Sequence, residues 1–189
     1  MTKERVMKET QQRKISFPRI ARYNSAIRYI IEVGLEQKCI MQPEMTKHTL
    51  ELGSRYSPDS VCAPFKSSLG SMIEALDAGA DTLVITFGLC RLGYYGEVQE
   101  QILRDLGYDF DFVNLSRYST GKKKDYLKAV KRLNPDVNLV RFMAAAMEGV
   151  RMGEYIDDME AIYYKNCGFE IEKGAYRKAF RQFLTGMET

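Results

Sequence analysis

The sequence predicts an α/β fold: a parallel sheet of about four strands with flanking helices, followed by a helical C-terminal tail. Short apolar segments rich in β-branched residues alternate with longer segments whose apolar residues recur at helical spacing. The connections between them are short, as is typical of parallel strands joined by crossover helices. With 189 residues, the chain is long enough for one well-buried domain and short for two.

The first two strands are predicted on either side of a helix. Residues 15–18 form a short apolar run, and the apolar residues of 26–33 recur at helical spacing. Gly34 suits the C-terminal end of that helix. The second strand is predicted at 38–41, and Pro43 ends it. A loop, with or without a short helical segment, is expected from there to residue 60.

The third strand and its two neighbouring helices give the clearest pattern. A helix is predicted over 64–79, because a proline in its first turn is followed by apolar residues at helical spacing and a closing glycine. Residues 82–86 (TLVIT) form the continuous β-branched run of a strand buried on both faces. A further helix is expected over 98–107, and 110–115 (FDFVNL) fits a fourth strand.

Beyond residue 121 only helices are predicted, so the chain divides into three parts. These are a charged lead-in at 1–13, a flavodoxin-like domain at 14–118 and a helical tail at 119–189. A complete doubly wound domain usually has a fifth strand. Its absence from the pattern suggests a truncated relative or one subunit of a pair.

Composition excludes several classes of function. The 28 basic and 25 acidic residues leave a net charge of +3, too small to indicate a nucleic acid partner or a membrane surface. No apolar run approaches the length of a membrane span, and the N-terminus lacks the apolar segment of a signal peptide. We therefore expect a cytoplasmic protein. In that compartment its four cysteines are buried thiols, reactive thiols or metal ligands, and not disulfides.

Cys62 and Cys90 are the candidate metal ligands. Cys62 directly precedes a predicted helix, whose N-terminal amides favour an anion such as a thiolate. Cys90 follows the third strand. One helix and one strand separate them, which returns the chain to the sheet edge where α/β proteins bind ligands. Arg91 could donate to cluster sulfide or phosphate. A lone cysteine is also commonly a small core residue, and the chain has no CxxC motif, so spacing alone leaves both interpretations open.

The other candidates carry weaker signals. Cys39 lies inside a predicted strand and is expected in the core. Cys167 lies at a break between helices and could be structural or a third ligand. His48, the one histidine, is expected at the surface or hydrogen-bonded within the fold. No GxGxxG or GxxxxGK[ST] motif supports a nucleotide, and the loop after the first strand lacks the residues that cradle a flavin phosphate.

Two short elements carry a resemblance to a known family. The first is Cys–x–Pro–x–Lys, met by Cys62, Pro64 and Lys66. The second is Gly–x–Cys–Arg–x–Gly–x–Tyr, met by Gly88, Cys90, Arg91, Gly93 and Tyr95. Over about 14–118 the chain resembles the 2-hydroxyacyl-CoA dehydratase D-component-like family. That family includes proteins named CoA-substrate-specific enzyme activases and activators of 2-hydroxyglutaryl-CoA dehydratase.

The resemblance implies a cofactor, a reaction and partners. Its members hold a [4Fe–4S] cluster with three cysteines between two flavodoxin-like lobes. Cys62 and Cys90 match two of these ligands, Cys167 is the candidate for the third, and Lys66 and Arg91 are expected beside the cofactor. The implied partners are a second lobe, subunit or homodimer mate and an ATPase of the actin/Hsp70 type that delivers a low-potential electron.

The expected function is therefore cluster binding for ATP-coupled electron transfer or for radical dehydration of 2-hydroxyacyl-CoA. The alternative is a non-catalytic scaffold or partner subunit that keeps the flavodoxin-like fold. A flavin-binding or small-molecule-binding module is a weaker third interpretation.

Overall fold

A computed structural model describes residues 12–19, 22–85, 95–115 and 123–187. Its four strands form one all-parallel sheet in the order β2-β1-β3-β4, which is the order of the first four strands of a flavodoxin-like fold. The predicted fold class is confirmed. The strands are β1 Lys14–Ser16, β2 Lys38–Cys39, β3 Thr82–Ile85 and β4 Asp111–Asn114.

The burial and the length of each strand follow from its place in the sheet. All four residues of β3 are buried, as the continuous TLVI run predicted, because β3 lies between β1 and β4. The edge strand β2 is shorter than predicted. Pairing nevertheless continues past its end, because the Ile40 N–H donates to the Ile15 carbonyl at 2.8 Å and Ser16 Oγ donates to the Ile40 carbonyl at 2.7 Å.

Helices connect the strands and follow the last of them. No residue described after Leu115 lies in a strand, in agreement with the prediction of a helical C-terminal part. The helices are α1 Asn24–Tyr29, which continues as a π-helical turn over Ile30–Gly34, α2 Lys47–Tyr56, α3 Ala63–Asp77, α4 Tyr95–Asp105, α5 Lys123–Leu133, α6 Leu139–Asn166 with a 3₁₀ turn at Cys167–Phe169, and α7 Ala175–Gly186.

Contacts divide the chain into two compact units. The sheet unit takes the described residues of 12–19 and 35–137, and the helical unit takes those of 22–34 and 138–187. Helix α1 belongs to the helical unit although it lies between β1 and β2 in the sequence, whereas α5 belongs to the sheet unit. In the part of the chain that the structure describes, no helix has both the length and the apolarity needed to cross a membrane.

The core of the sheet unit is built around α3. Its apolar residues lie on the face that packs against β3, β4 and α4. Helical spacing from Phe65 through Leu69 to Met72 places these side chains in line, and each is at most 1% exposed. Leu83 of β3 and Leu103 of α4 complete the centre of this cluster and are fully buried. The helix predicted over 64–79 is therefore confirmed, with its apolar stripe buried.

Two glycines let α2 pack very closely against α3. A Cβ atom on Gly53 would lie 1.7 Å from the Lys66 carbonyl oxygen, and one on Gly70 would lie 1.9 Å from the Thr49 carbonyl oxygen. Thr46 begins α2 with a capping box, in which its hydroxyl accepts from the Thr49 N–H at 3.3 Å. The close approach at Gly53 and Gly70 holds α2 against the N-terminal half of α3.

The helical unit packs the segment 24–34 against α6. A Cβ atom on Gly34 would lie 3.0 Å from Ala145 Cβ, and one on Gly149 would lie 2.6 Å from Ile30 Cδ1. The small residues therefore bring the two helices close together, and these contacts build a second core that is made of helices alone.

Candidate functional site

Cys62 lies at the N-terminal end of α3. Its backbone is extended (φ −73°, ψ 161°), and its carbonyl accepts the first helical hydrogen bonds, from the N–H groups of Phe65 at 3.1 Å and Lys66 at 3.3 Å. Pro64 fits the first turn because it has no N–H to leave unpaired there. The Cys62 side chain is exposed at the positive end of the helix dipole.

Tyr95 brings the second sequence element to Cys62. It is the first residue of α4, and its hydroxyl oxygen lies 3.0 Å from the Cys62 sulfur. Its ring packs edge-on against Phe65, with centroids 4.9 Å apart and planes at 72°. One turn further along α4, the buried amide of Gln99 donates to the Phe65 carbonyl at 3.1 Å. The first turns of α3 and α4 are thus fixed against each other.

This pair lies at the carboxyl ends of the strands. The first turn of α4 rests on the last residues of β3 and β4. A Cβ atom on Gly96 would lie 2.7 Å from Asn114 Nδ2 and 3.4 Å from Ile85 Cδ1. A side chain at this position would have to displace the Asn114 amide, so the glycine lets the helix start close to the sheet. Cys62 and Tyr95 therefore meet at the edge where open α/β sheets bind their ligands.

The surroundings of Cys62 favour its ionised form. The pKa of the thiol is lowered, first by the hydrogen bond with Tyr95 and then by the backbone amide of Phe65, and burial opposes the shift less than either of these does. Both groups stabilise the thiolate, because a phenol and an amide donate to negatively charged sulfur. An exposed cysteine with these neighbours is chemically accessible as a thiolate, the form that binds metals.

The other predicted site residues lie in different places. Lys66 follows Cys62 by one turn of α3, on the same side of the helix, and is half-buried. Cys167 lies in the 3₁₀ turn after α6, in the helical unit, where its thiol is 3.7 Å from the Tyr164 carbonyl oxygen. Cys90 and Arg91 fall between Ile85 and Tyr95, outside the described residues.

Two further residues match their sequence-based expectations. Cys39 is a buried residue of β2, only 8% exposed, as its place in a predicted strand indicated. His48 is an exposed residue of α2.

Across 12–19, 22–85, 95–115 and 123–187, no three His, Cys, Asp or Glu side chains converge in a metal-ligand arrangement. The donor chemistry of Cys62 still fits an iron–sulfur cluster, whose ligands are thiolates.

Tyr95 is the residue whose role the sequence did not indicate. It belongs to the second element, but a tyrosine in isolation is usually a packing residue with a hydrogen-bonding tip. The usable signal was its place at the start of a helix that follows a central parallel strand, because such positions project toward the carboxyl edge. The contact with Cys62 itself depends on the packing of α4 against α3.

No family model, curated protein or solved structure matches this chain. The resemblance drawn from the two sequence elements accordingly stays an expectation. To it the structure adds one geometric fact: Cys62 of the first element and Tyr95 of the second are in hydrogen-bonding contact at the carboxyl edge of the sheet.

Proposed function

We propose that the chain binds an iron–sulfur cluster, of the [4Fe–4S] type, with Cys62 and Cys90 as ligands. The contact between Cys62 and Tyr95 carries this proposal, because it joins the two sequence elements at one edge of the sheet. Cys90 precedes Tyr95 by five positions. An extended chain covers roughly 3.5 Å per residue, so its length allows Cys90 to approach Cys62.

The described residues support the chemistry of such a site. The lowered pKa of Cys62 supplies a thiolate, and its exposure leaves room for a cofactor and for a redox partner. Lys66, one turn after Cys62, adds positive charge near a cofactor that is negatively charged when thiolates hold it, and we propose the same role for Arg91, which lies outside the described residues. Cys167 is proposed as the third ligand, following the resemblance.

When bound, the cluster supplies one-electron redox chemistry. Following the resemblance, we assign the chain to low-potential electron transfer or to the radical dehydration of 2-hydroxyacyl-CoA. An actin/Hsp70-type ATPase partner would provide the electron. The protein's own contribution is to hold the thiolate at an exposed sheet edge, between the N-terminal ends of two helices.

Anaerobic reconstitution tests the proposal. The purified chain is incubated with iron and sulfide, desalted and analysed for both elements, with native mass spectrometry to count chains per cluster. We expect about four iron and four sulfide per cluster and the broad visible absorbance of thiolate-held iron. Cys62→Ser and Cys90→Ser should each lose most of the iron. Cys39→Ala is the control, because the Cys39 thiol is buried in β2.

Two outcomes would contradict cluster binding. One is full iron content in both Cys62→Ser and Cys90→Ser. The other is a folded, iron-free monomer after reconstitution, which favours the alternative of a scaffold or partner subunit. The Cys167→Ser variant separately decides the third ligand: unchanged iron content excludes Cys167 and leaves the other two ligands unaffected.

A further inference from the structure

The hydroxyl of Tyr95 lies beside the sulfur of the candidate ligand Cys62, in a hydrogen bond in which either atom could be the donor. A thiolate has no proton to donate, so in a bond with ionised Cys62 the phenol must be the donor. The 3.0 Å separation suits a short bond to sulfur. Because Tyr95 stands at the start of a helix, its hydroxyl reaches the sulfur from α4, whereas the cysteine belongs to α3.

Three contacts hold this hydroxyl in place. The Tyr95 ring packs against Phe65, which is 1% exposed. Gln99 ties the next turn of α4 to the same residue through a buried hydrogen bond of 3.1 Å. Gly96 lets the first turn of α4 rest against Asn114 at the end of β4. The donor is therefore preorganised, and little rotational freedom remains to be lost when the sulfur binds iron.

A sulfur that binds iron keeps lone pairs that can accept such a bond. Donors to ligand sulfur orient the ligand, and they stabilise the reduced cluster more than the oxidised one because the reduced cluster carries more negative charge. We propose that Tyr95 is a positioning residue that donates to the Cys62 ligand and raises the reduction potential of the cluster. This inference rests on the proposed cluster binding.

The test compares Tyr95→Phe with Tyr108→Phe. The first variant keeps the ring packed on Phe65 and removes only the hydroxyl. The second removes a hydroxyl that donates to Asp77 at 2.7 Å, at the opposite end of α3 from Cys62. Each chain is reconstituted anaerobically, and its midpoint potential is measured by spectroelectrochemistry, with the electron paramagnetic resonance spectrum of the reduced cluster recorded alongside.

We expect Tyr95→Phe to have a more negative potential and an altered resonance spectrum. If the hydrogen bond favours the reduced cluster about tenfold, the shift is about 59 mV for a one-electron couple. Tyr108→Phe should match the unsubstituted chain. Loss of the cluster from a Tyr95→Phe chain with a native circular dichroism spectrum also supports the positioning role.

The results separate this inference from the proposed function. An unsubstituted chain that takes up no iron contradicts both. A Tyr95→Phe chain with full iron, an unchanged potential and an unchanged resonance spectrum overturns the inference and leaves cluster binding intact. Equal potential shifts in Tyr95→Phe and Tyr108→Phe also overturn it, because they show that the hydrogen bond to Cys62 is not the cause.

Discussion

At the scale of single residues, the surroundings of each cysteine decide what its thiol can do. Cys62 and Cys39 have the same side chain, yet one is exposed at a helix N-terminus and the other is buried in a strand. Tyr95 and the Phe65 amide favour a thiolate at Cys62. Burial removes Cys39 from solvent, so it serves as a small packing residue. The reactivity of the Cys62 thiol therefore depends on the groups that surround it.

Alkylation of Cys62 should show this effect directly. The thiolate is the reacting form, and the lowered pKa of Cys62 means that its rate of labelling reaches half of the plateau at a lower pH than that of an unperturbed thiol. In Tyr95→Phe the main cause of the shift is absent, so the midpoint should move to higher pH. The measurement is the iodoacetamide labelling rate of the metal-free chain, followed on the Cys62 peptide by mass spectrometry.

Tyr108→Phe is the matched control for this titration and should leave the Cys62 midpoint unchanged. A Tyr95→Phe midpoint equal to that of the unsubstituted chain would show that the hydroxyl does not stabilise the thiolate. A midpoint shifted to lower pH would show that it stabilises the neutral thiol.

At the scale of elements, the sheet unit depends on backbone contact between α2 and α3. Gly53 and Gly70 remove the side chains that would keep the helices apart, and the carbonyl oxygens of Lys66 and Thr49 occupy that space. A glycine within a helix lowers its propensity, which is one reason why the sequence indicated only a short helical segment where a ten-residue helix forms. Tertiary packing more than offsets that local cost.

Gly53→Ala should therefore destabilise the protein. The new Cβ atom would lie 1.7 Å from a backbone oxygen that no side-chain rotation can move, so α2 must shift away from α3. Overpacking of this kind costs about 1–3 kcal/mol and can cost more. Circular dichroism during urea unfolding measures the change.

Gly153→Ala is the control substitution for this contact. Gly153 lies within α6. Its Cβ atom would lie 3.8 Å from Tyr23 Cδ1, which is an ordinary contact distance. The change should be neutral or stabilising by up to about 1 kcal/mol, because alanine favours helix more than glycine does. Equal stability of Gly53→Ala and the unsubstituted chain would mean that α2 and α3 are not in this close contact in solution.

At the scale of the whole molecule, long-range polar contacts join strands that are distant in the sequence. Arg13 precedes β1, and its guanidinium donates to Thr82 Oγ1 of β3 at 3.2 Å and pairs with Asp111 of β4. Its backbone N–H donates to Gln37 Oε1, just before β2, at 2.7 Å. One residue thereby connects all four strands at the amino edge, opposite the candidate site.

Arg13→Met should weaken the fold in a pH-dependent way. Arg13 lowers the pKa of Asp111, so the pair stabilises the folded chain above the ordinary carboxyl pKa, and this stabilisation is lost as the pH falls through the lowered value. The side chains of Arg13 and Asp111 are 31% and 41% exposed, so solvent screening limits the effect to about 1 kcal/mol at pH 7. Urea unfolding at pH 7 and pH 3 measures it.

The difference between Arg13→Met and the unsubstituted chain should therefore shrink at pH 3. Lys47→Met removes an exposed ion pair with Glu51 and should cost much less at either pH. A difference for Arg13→Met that is the same at pH 7 and pH 3 would assign its effect to packing and to the hydrogen bond with Thr82, not to the charge of Asp111.

Local patterns were enough to predict the fold class. The continuous apolar run of β3 and the helical spacing of α3 depend on side chains close together in the chain, so periodicity reveals them. The same holds for the position of Cys62 directly before a helix, because a proline in the first turn marks that boundary. Cys90 and Arg91 fall outside the described residues, and their role stays a prediction.

The sequence by itself determined the strand–helix alternation, the parallel sheet and the cysteine at a helix N-terminus. Only the tertiary structure decided that the Tyr95 hydroxyl lies in hydrogen-bonding contact with Cys62, that α1 packs with α6, and that Gly53 brings α2 against α3. Each of these joins residues from different elements, whether neighbouring in the chain, as α2 and α3 are, or far apart, as α1 and α6 are. These contacts depend on how the surfaces of different elements pack together in the folded chain. Local periodicity does not indicate which of those surfaces will meet.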